Sequence, residues 1–428
     1  MQSAESIEPS DVLAQLLENP TSEALEQFFR QLEPAETARL LARLEEQELQ
    51  RILQLLPNEA AADLLGAVPD VHAVAAINQL PAGDAAAIIC ELPSNEQADL
   101  LGELEPEFAE AVIESLPPED AEDARKLGSY DDDVAGGLMV TEYLSYPVES
   151  SVGEVLEDLR SHVEAYRDFD IQYVYVTEGK GRLAGVLRLR DIVLARQSQT
   201  VKELMIPDPI SIEDSEPLLQ LKEIFDRHPF LGLPVVHKGK QLVGVIKRVE
   251  VEKALAEQLE SDFRKSQGIV GGEELRTMPL LLRSRRRLSW LSVNIGLNII
   301  AASIIAGYQN TIAQVIALAV FLPMISDMSG CSGNQAVAVS MRELSLGLIK
   351  QGEVAWVWMK EIVLGIINGL VLGILIGGVA WLWQGNPVLG AVVGAALAIN
   401  TAIAVSIGGT LPLIVKQLRF DPALASGP

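Results

Sequence analysis

The chain has 428 residues, 49% of them hydrophobic, with 59 Asp and Glu against 33 Lys and Arg, a formal net charge of −26 and a mean hydropathy of +0.23. That length allows two or three domains, and the acidic balance excludes a nucleic-acid binder, which needs a basic face. Two cysteines, Cys90 and Cys331, exclude a disulfide framework, and four His without a nucleophile–base grouping indicate no enzyme class.

The charge is segregated. Residues 1–137 hold 30 acidic and 6 basic residues, residues 138–282 hold 24 and 18, and the rest hold 5 and 9. The N-terminus, MQSAESIEPSD, has neither the basic n-region nor the apolar h-region of a cleaved signal, so the first membrane helix is expected to direct insertion. From Leu32 a period of 12 runs through Leu44, Leu56, Val68, Leu80, Leu92, Leu104 and Leu116. Proline follows within two residues at Pro34, Pro57, Pro69, Pro81, Pro93, Pro106 and Pro117, where a helix loses nothing by lacking an N–H. Acidic residues such as Glu36, Glu59, Asp84 and Glu96 then suit a helix N-terminus. The pattern predicts a stack of short helices, each too short to stand alone. Residues 1–133 are therefore expected to form an all-α repeat domain. The stretch SYDDDVAGG that closes it sets Asp131, Asp132 and Asp133 before two glycines, a cation site at a domain joint or a solvated linker.

Residues 134–257 are expected to be an α/β module of two similar β-α-β units. IQYVYV, a GKG turn and LAGVLRLRDIV are matched by LGLPVV, a KGK turn and LVGVIKRVEVEKAL, with Gly185 and Gly244 in equivalent places. This duplicate is similar to a tandem CBS pair, a module that often binds adenosine nucleotides. The Ser or Thr usual before the closing Asp is Arg190 before Asp191 here, and Val249 before Glu250. A dimerising module without ligand remains the alternative. Residues 258–283 are read as a polar connecting helix, with Glu257 and Glu260 on one face.

Residues 284–428 carry four apolar stretches of membrane-crossing length: Leu288–Tyr308, Ile312–Met341, Ile362–Trp383 and Pro387–Val415. Basic residues before the first, between the second and third and after the fourth place the soluble parts in the cytoplasm. Gly365, Gly369, Gly373 and Gly377 step by four, a helix–helix seam rather than a pore lining. The second stretch holds Pro323, Asp327, Gly330, Gly333, Asn334 and Gln335, and is expected to break near Gly330. A carboxylate and two amides at bilayer depth require a partner or a water-filled path; the alternative is a polar knot gluing helices together. Asn294, Asn298, Ser303, Asn400 and Ser406 are expected to face it.

The strings DDDVAGGLM, PMISDMSGCSGNQAVAVSMRE and LPLIVKQLRFDPALASGP, in this order, resemble the MgtE family of magnesium channels over essentially the whole chain. Gly333, Asn334 and Gln335 match the second-span motif, whereas Cys331 replaces its earlier Asn and Asp327 stands where a small residue is usual. The family continues into a fifth span bearing the central pore carboxylate, whereas this sequence stops at Pro428 with four spans. The resemblance implies a multi-pass protein of the cell inner membrane, embedded in lipid. It further implies a homodimer with the path between subunits, Mg²⁺ as both transported and regulatory ion, and adenine nucleotide as a candidate CBS ligand. Magnesium keeps several waters and prefers oxygen ligands. Asn334 and Asp421, with Asp327 in addition, supply that chemistry in the path. Glu59, Glu91, Asp133, Asp226, Glu257, Glu260 and Asp262 are the expected sensor carboxylates. The rival expectation is a non-conducting divalent-cation sensor.

Overall fold

The computed structural model describes residues 9–418, apart from 42, 45, 164, 165, 167, 168, 170, 270, 271, 273, 277 and 350. Two compact units result, Met1–Leu255 and Ala256–Pro428.

The first unit opens with ten short helices: α1 (Pro9–Glu18), α2 (Ser22–Arg30), α3 (Pro34–Leu41), α4 (Glu46–Leu55), α5 (Asn58–Ala67), α6 (Asp70–Ile77), α7 (Ala82–Ile89), α8 (Ser94–Glu103), α9 (Pro106–Ser115) and α10 (Pro118–Leu127). From α3 onward each starts 12 residues after the one before. Pro57, Pro69, Pro81, Pro93 and Pro117 occupy the N-cap, with φ between −53° and −58°. Their carbonyls accept the first helical hydrogen bond, as from Ala61 N to Pro57 O at 2.9 Å. A proline there costs no bond, and its fixed ring sets the entry angle. The periodic Leu56, Val68, Leu80, Leu92, Leu104 and Leu116 are all buried where one helix hands over to the next. Each such side chain contributes about 1.5–3 kcal/mol by leaving water, which holds helices that could not persist singly.

The repeat runs on through α11 (Ala135–Leu138) into a seven-stranded sheet. In chain order follow β1 (Leu144–Pro147), α12 (Val152–Ser161), β2 (Tyr173–Glu178), β3 (Arg182–Arg188), α13 (Leu189–Leu194), α14 (Val201–Leu204), β4 (Ile206–Pro207), β5 (Ile212–Glu213), α15 (Leu218–Arg227), β6 (Gly232–His237), β7 (Gln241–Lys247) and α16 (Arg248–Ser266). The strand order is β1-β2-β3-β7-β6-β5, with β4 on β3. Each half pairs a parallel with an antiparallel neighbour, and the halves join where Arg182 of β3 meets Gln241 of β7. Duplication extends to detail. Gly185 pairs with Val176 as Gly244 pairs with Val235, with a bulge beside each. A Cβ on either glycine would lie 2.5 Å from a methionine sulfur, Met205 or Met139 respectively.

Repeat and sheet are tied by polar contacts. The Glu142 carboxylate accepts from Ser94 N at 2.9 Å and Ser94 Oγ at 2.8 Å, capping α8, and Lys253 pairs with Glu96 at 3.4 Å. At the DDD joint the part that docks is backbone. Leu218 N donates to Asp133 O at 2.8 Å, and Gly136 N donates to Asp214 O at 2.7 Å. Tyr130 and His237 then meet at the Asp214 carboxylate, at 3.0 and 2.6 Å.

The second unit holds α17 (Leu280–Gly307), α18 (Gln309–Gln314), α19 (Ala317–Ser345), α20 (Val354–Gln384) and α21 (Pro387–Gln417). By length and composition α17, α20 and α21 can cross a membrane. The expected break near Gly330 is absent: α19 is continuous, and the interruption lies at Val315, between α18 and α19. Gly333 serves packing instead. A Cβ on Gly408 of α21 would lie 2.4 Å from Gly333 O, so the two backbones touch and that contact supports the helix.

Candidate functional site

Two seams assemble α19, α20 and α21. On α20, Gly365, Gly369, Gly373 and Gly377 are all buried, and a Cβ on Gly373 would fall 2.5 Å from Gly394 O of α21. This is the close-packed seam that the spacing by four predicts. The α19–α21 seam adds hydrogen bonds: Asn400 Nδ2 donates to Ser329 Oγ at 2.9 Å, and Ser340 Oγ to Gly409 O at 2.6 Å. Of the polar residues expected to face α19, Asn400 does so. Ser406 and Ser303 bond back to their own helices, and α17 buries none of its side chains.

With the seam on one side, the opposite face of α19 is determined. At 100° per residue Asp327, Cys331, Asn334 and Ala338 fall within about 60° of one another, and all four are exposed. Phe321, Ser329, Ala336, Val337, Ser340 and Leu344 fill the buried side. The helix spans 29 residues, about 43 Å, and the stripe from Asp327 to Ala338 covers about 16 Å of it. A carboxylate and an amide turned away from the α21 seam require water or a partner there. The expected pore residues Asp327 and Asn334 thus share one free face. Asp421 lies outside the described residues.

A carboxylate that sequence reasoning passed over lies at the end of this bundle. Glu361, one residue before the third predicted span, lies over Gly409, where a Cβ would come 2.4 Å from Glu361 Cγ. Its Oε2 is buried without a hydrogen-bond partner among the described residues, and its charged neighbour is Glu343 of α19. The one sequence signal was a Glu abutting an uncharged run.

The expected sensor carboxylates are dispersed. Glu59 lies on α5, Glu91 after α7, Asp133 at the joint, Asp226 near the end of α15, and Glu257, Glu260 and Asp262 on α16. All but the half-buried Asp262 are exposed. Asp226 pairs with Lys222, and Glu260 with Arg264 at 2.8 Å. Among the described residues no group of three or more His, Cys, Asp or Glu is close enough to hold a metal ion.

A repeat of proline-capped acidic helices, a duplicated sheet module and helices packed through small residues define a membrane protein with a large soluble half. Residues 322–428 match the divalent cation transporter family, 32–133 the MgtE intracellular N domain, and 134–198 and 201–257 the CBS domain. The chain is 30% identical over 306 residues to the magnesium transporter MgtE of Thermus thermophilus, covering 71% of this chain and 67% of that protein. Against its Bacillus subtilis namesake it is 28% identical over 303 residues, covering 71% and 66%. It thus spans about two thirds of these relatives' length. Among solved structures, the cytosolic domain of the Mg²⁺ channel MgtE in complex with ATP superposes with a TM-score of 0.52 at 28% identity, over 57% of this chain and 99% of that one. The soluble part of a magnesium transporter gives 0.53 at 21% identity, over 59% and 98%, and supports the fold. The chain belongs to the MgtE family, whose named members are transporters rather than enzymes.

Proposed function

We propose that this chain conducts Mg²⁺ across the cell inner membrane, along the free face of α19, in a homodimer whose second copy closes the other side of the path. The observation that carries this reading is the placement of Asp327 and Asn334 on one exposed stripe, opposite the seam with α21. A hydrated Mg²⁺ needs few carboxylates and several neutral oxygens at the distance of its water shell, because it gives up water reluctantly. Glu343 and Glu361 add negative charge at the α19–α20 end, where basic Arg342 and Lys360 mark the cytoplasmic side.

Gating follows from charge. The repeat, the sheet module and α16 present exposed carboxylates that repel when the domains of a dimer approach. Divalent ions screen that repulsion, let the domains close, and α16 carries the change to the membrane. Falling cytoplasmic Mg²⁺ restores the repulsion and reopens the path. An adenine nucleotide at the CBS pair is a second regulatory ligand, by analogy with the ATP bound to the solved relative.

The experiment is Mg²⁺ flux into liposomes carrying the full chain, beside Asp327→Ala and Asn334→Ala variants. Flux that either substitution reduces supports the reading. Absence of flux in the wild type contradicts it and leaves the non-conducting sensor.

A further inference from the structure

Glu274, between α16 and α17, is a buried carboxylate held against the first turns of α17. The Glu274 side chain is only 3% exposed. Its Oε1 accepts from Arg287 Nε at 2.8 Å and from Arg283 Nε at 3.4 Å. These arginines lie four apart, on one face of α17. Arg283 also donates to Arg276 O at 3.3 Å, closing the loop back on the helix. Two further contacts fasten the same stretch. Gly268, just past α16 with φ +76°, lies so close to Trp290 of α17 that a Cβ would come 2.1 Å from its ring. Met278 is buried, and its sulfur faces Leu275 N at 3.3 Å and Arg286 at 4.0 Å.

Glu274 is unsuited to bind a cation, because two guanidiniums already converge on it. The Arg287 bond holds its carboxyl below the usual carboxylate range, against the opposing effect of burial. Its other oxygen is buried without a partner among the described residues, so the two arginines are what offsets its burial there. A buried carboxylate held that way opens once its charge partners are removed.

We propose that Glu274 is a positioning residue that clamps the chain following the linking helix to the cytoplasmic turns of the first span, so that movement of α16 is delivered to α17. The clamp stands on this geometry alone; the delivery rests on the gating proposed above. Two readouts on the full chain in liposomes separate them. The first is the rate of tryptic cleavage after Arg276. Glu274→Gln and Arg287→Ala should speed it about tenfold, the response of a locally opened segment. Arg285→Ala removes a charge from the same turn, outside the Glu274 contacts, and should cut at the wild-type rate. Equal rates in Glu274→Gln and the wild type overturn the clamp whether or not the chain conducts, as does equal acceleration by Arg285→Ala. The second readout is the Mg²⁺ concentration that closes the flux. Glu274→Gln should keep the wild-type flux at zero cytoplasmic-side Mg²⁺ and need about tenfold more Mg²⁺ to close. Faster cleavage with an unshifted closing concentration overturns the delivery and leaves the clamp. A wild type without flux overturns the delivery together with the proposed function, and cleavage alone then decides the clamp.

Discussion

The two sides of the membrane bundle use small and polar residues to opposite ends. Between α20 and α21, Gly365, Gly369, Gly373 and Gly377 bring backbones into contact, and nothing polar is needed. On the face of α19 turned away from α21, Asp327, Cys331 and Asn334 stand exposed among the described residues. In lipid the hydrophobic effect does not draw helices together, so a seam needs close van der Waals fit. A polar group away from such a seam is retained for another purpose. The comparison teaches that glycine spacing marks where the bundle is closed, and polar spacing where it is open.

The largest effect is expected from breaking the closed side. Gly373→Leu drives a side chain into Gly394 O and should abolish folded, monodisperse protein in detergent, a loss well above the ~1–3 kcal/mol of ordinary overpacking. Gly378→Ala, on the same helix but with nothing near its Cβ position, should leave yield and melting temperature unchanged. Equal damage by both would mean that the spacing is incidental. Next, the open side is sharpened by Asp327→Ala and Asn334→Ala. Each should lower Mg²⁺ flux about tenfold or more while changing thermal stability by no more than ~0.5 kcal/mol, as for exposed sites. A large loss of stability would place these residues in a seam.

A smaller effect is expected in the soluble half, where polar contacts do close a joint. Burial alone would raise the Asp214 carboxyl, but the bonds from His237 and Tyr130 overcome it and hold it below the ordinary 3.8. A depressed carboxyl contributes its full stability above its unfolded value, and loses it as pH falls through the lower folded value. Asp214→Asn should therefore cost about 1–2 kcal/mol at neutral pH. It should also flatten the acid limb of the stability curve below about pH 4. Chemical denaturation of the soluble half across pH 2–7 measures both, and an unchanged acid limb would remove Asp214 from the joint's stability.

Much of this was legible in the sequence because it is periodic. Steps of 12 with proline expose the helical repeat, and the equivalent glycines Gly185 and Gly244 expose the duplicated sheet. Gly365 to Gly377 expose the tight seam. Position within an element was harder. Gly330 and Gly333 read as helix breakers, since a glycine that frees a backbone and one that admits a neighbour's backbone look alike until the neighbour is known. The run Asp131 to Asp133 points to side-chain chemistry, yet it is the Asp133 carbonyl that holds the joint. Glu274 and Glu361 stand near arginines or apolar runs, and only the fold shows Glu274 engaged by two guanidiniums and each carboxylate with a buried Oε2 lacking a partner among the described residues.

The most direct test of the open face uses a thiol already on it. Cys331 lies between Asp327 and Asn334 on the exposed stripe. The other thiol, Cys90, is pushed up to about 12 by burial and by its bond to Asp120, so at neutral pH it reacts slowly. The measurement is modification of Cys331 by a water-soluble cationic thiol reagent in protein-loaded liposomes, with and without millimolar Mg²⁺. The account predicts modification that Mg²⁺ slows. Modification only by a lipid-soluble maleimide, indifferent to Mg²⁺, would show that the stripe faces hydrocarbon and would contradict it.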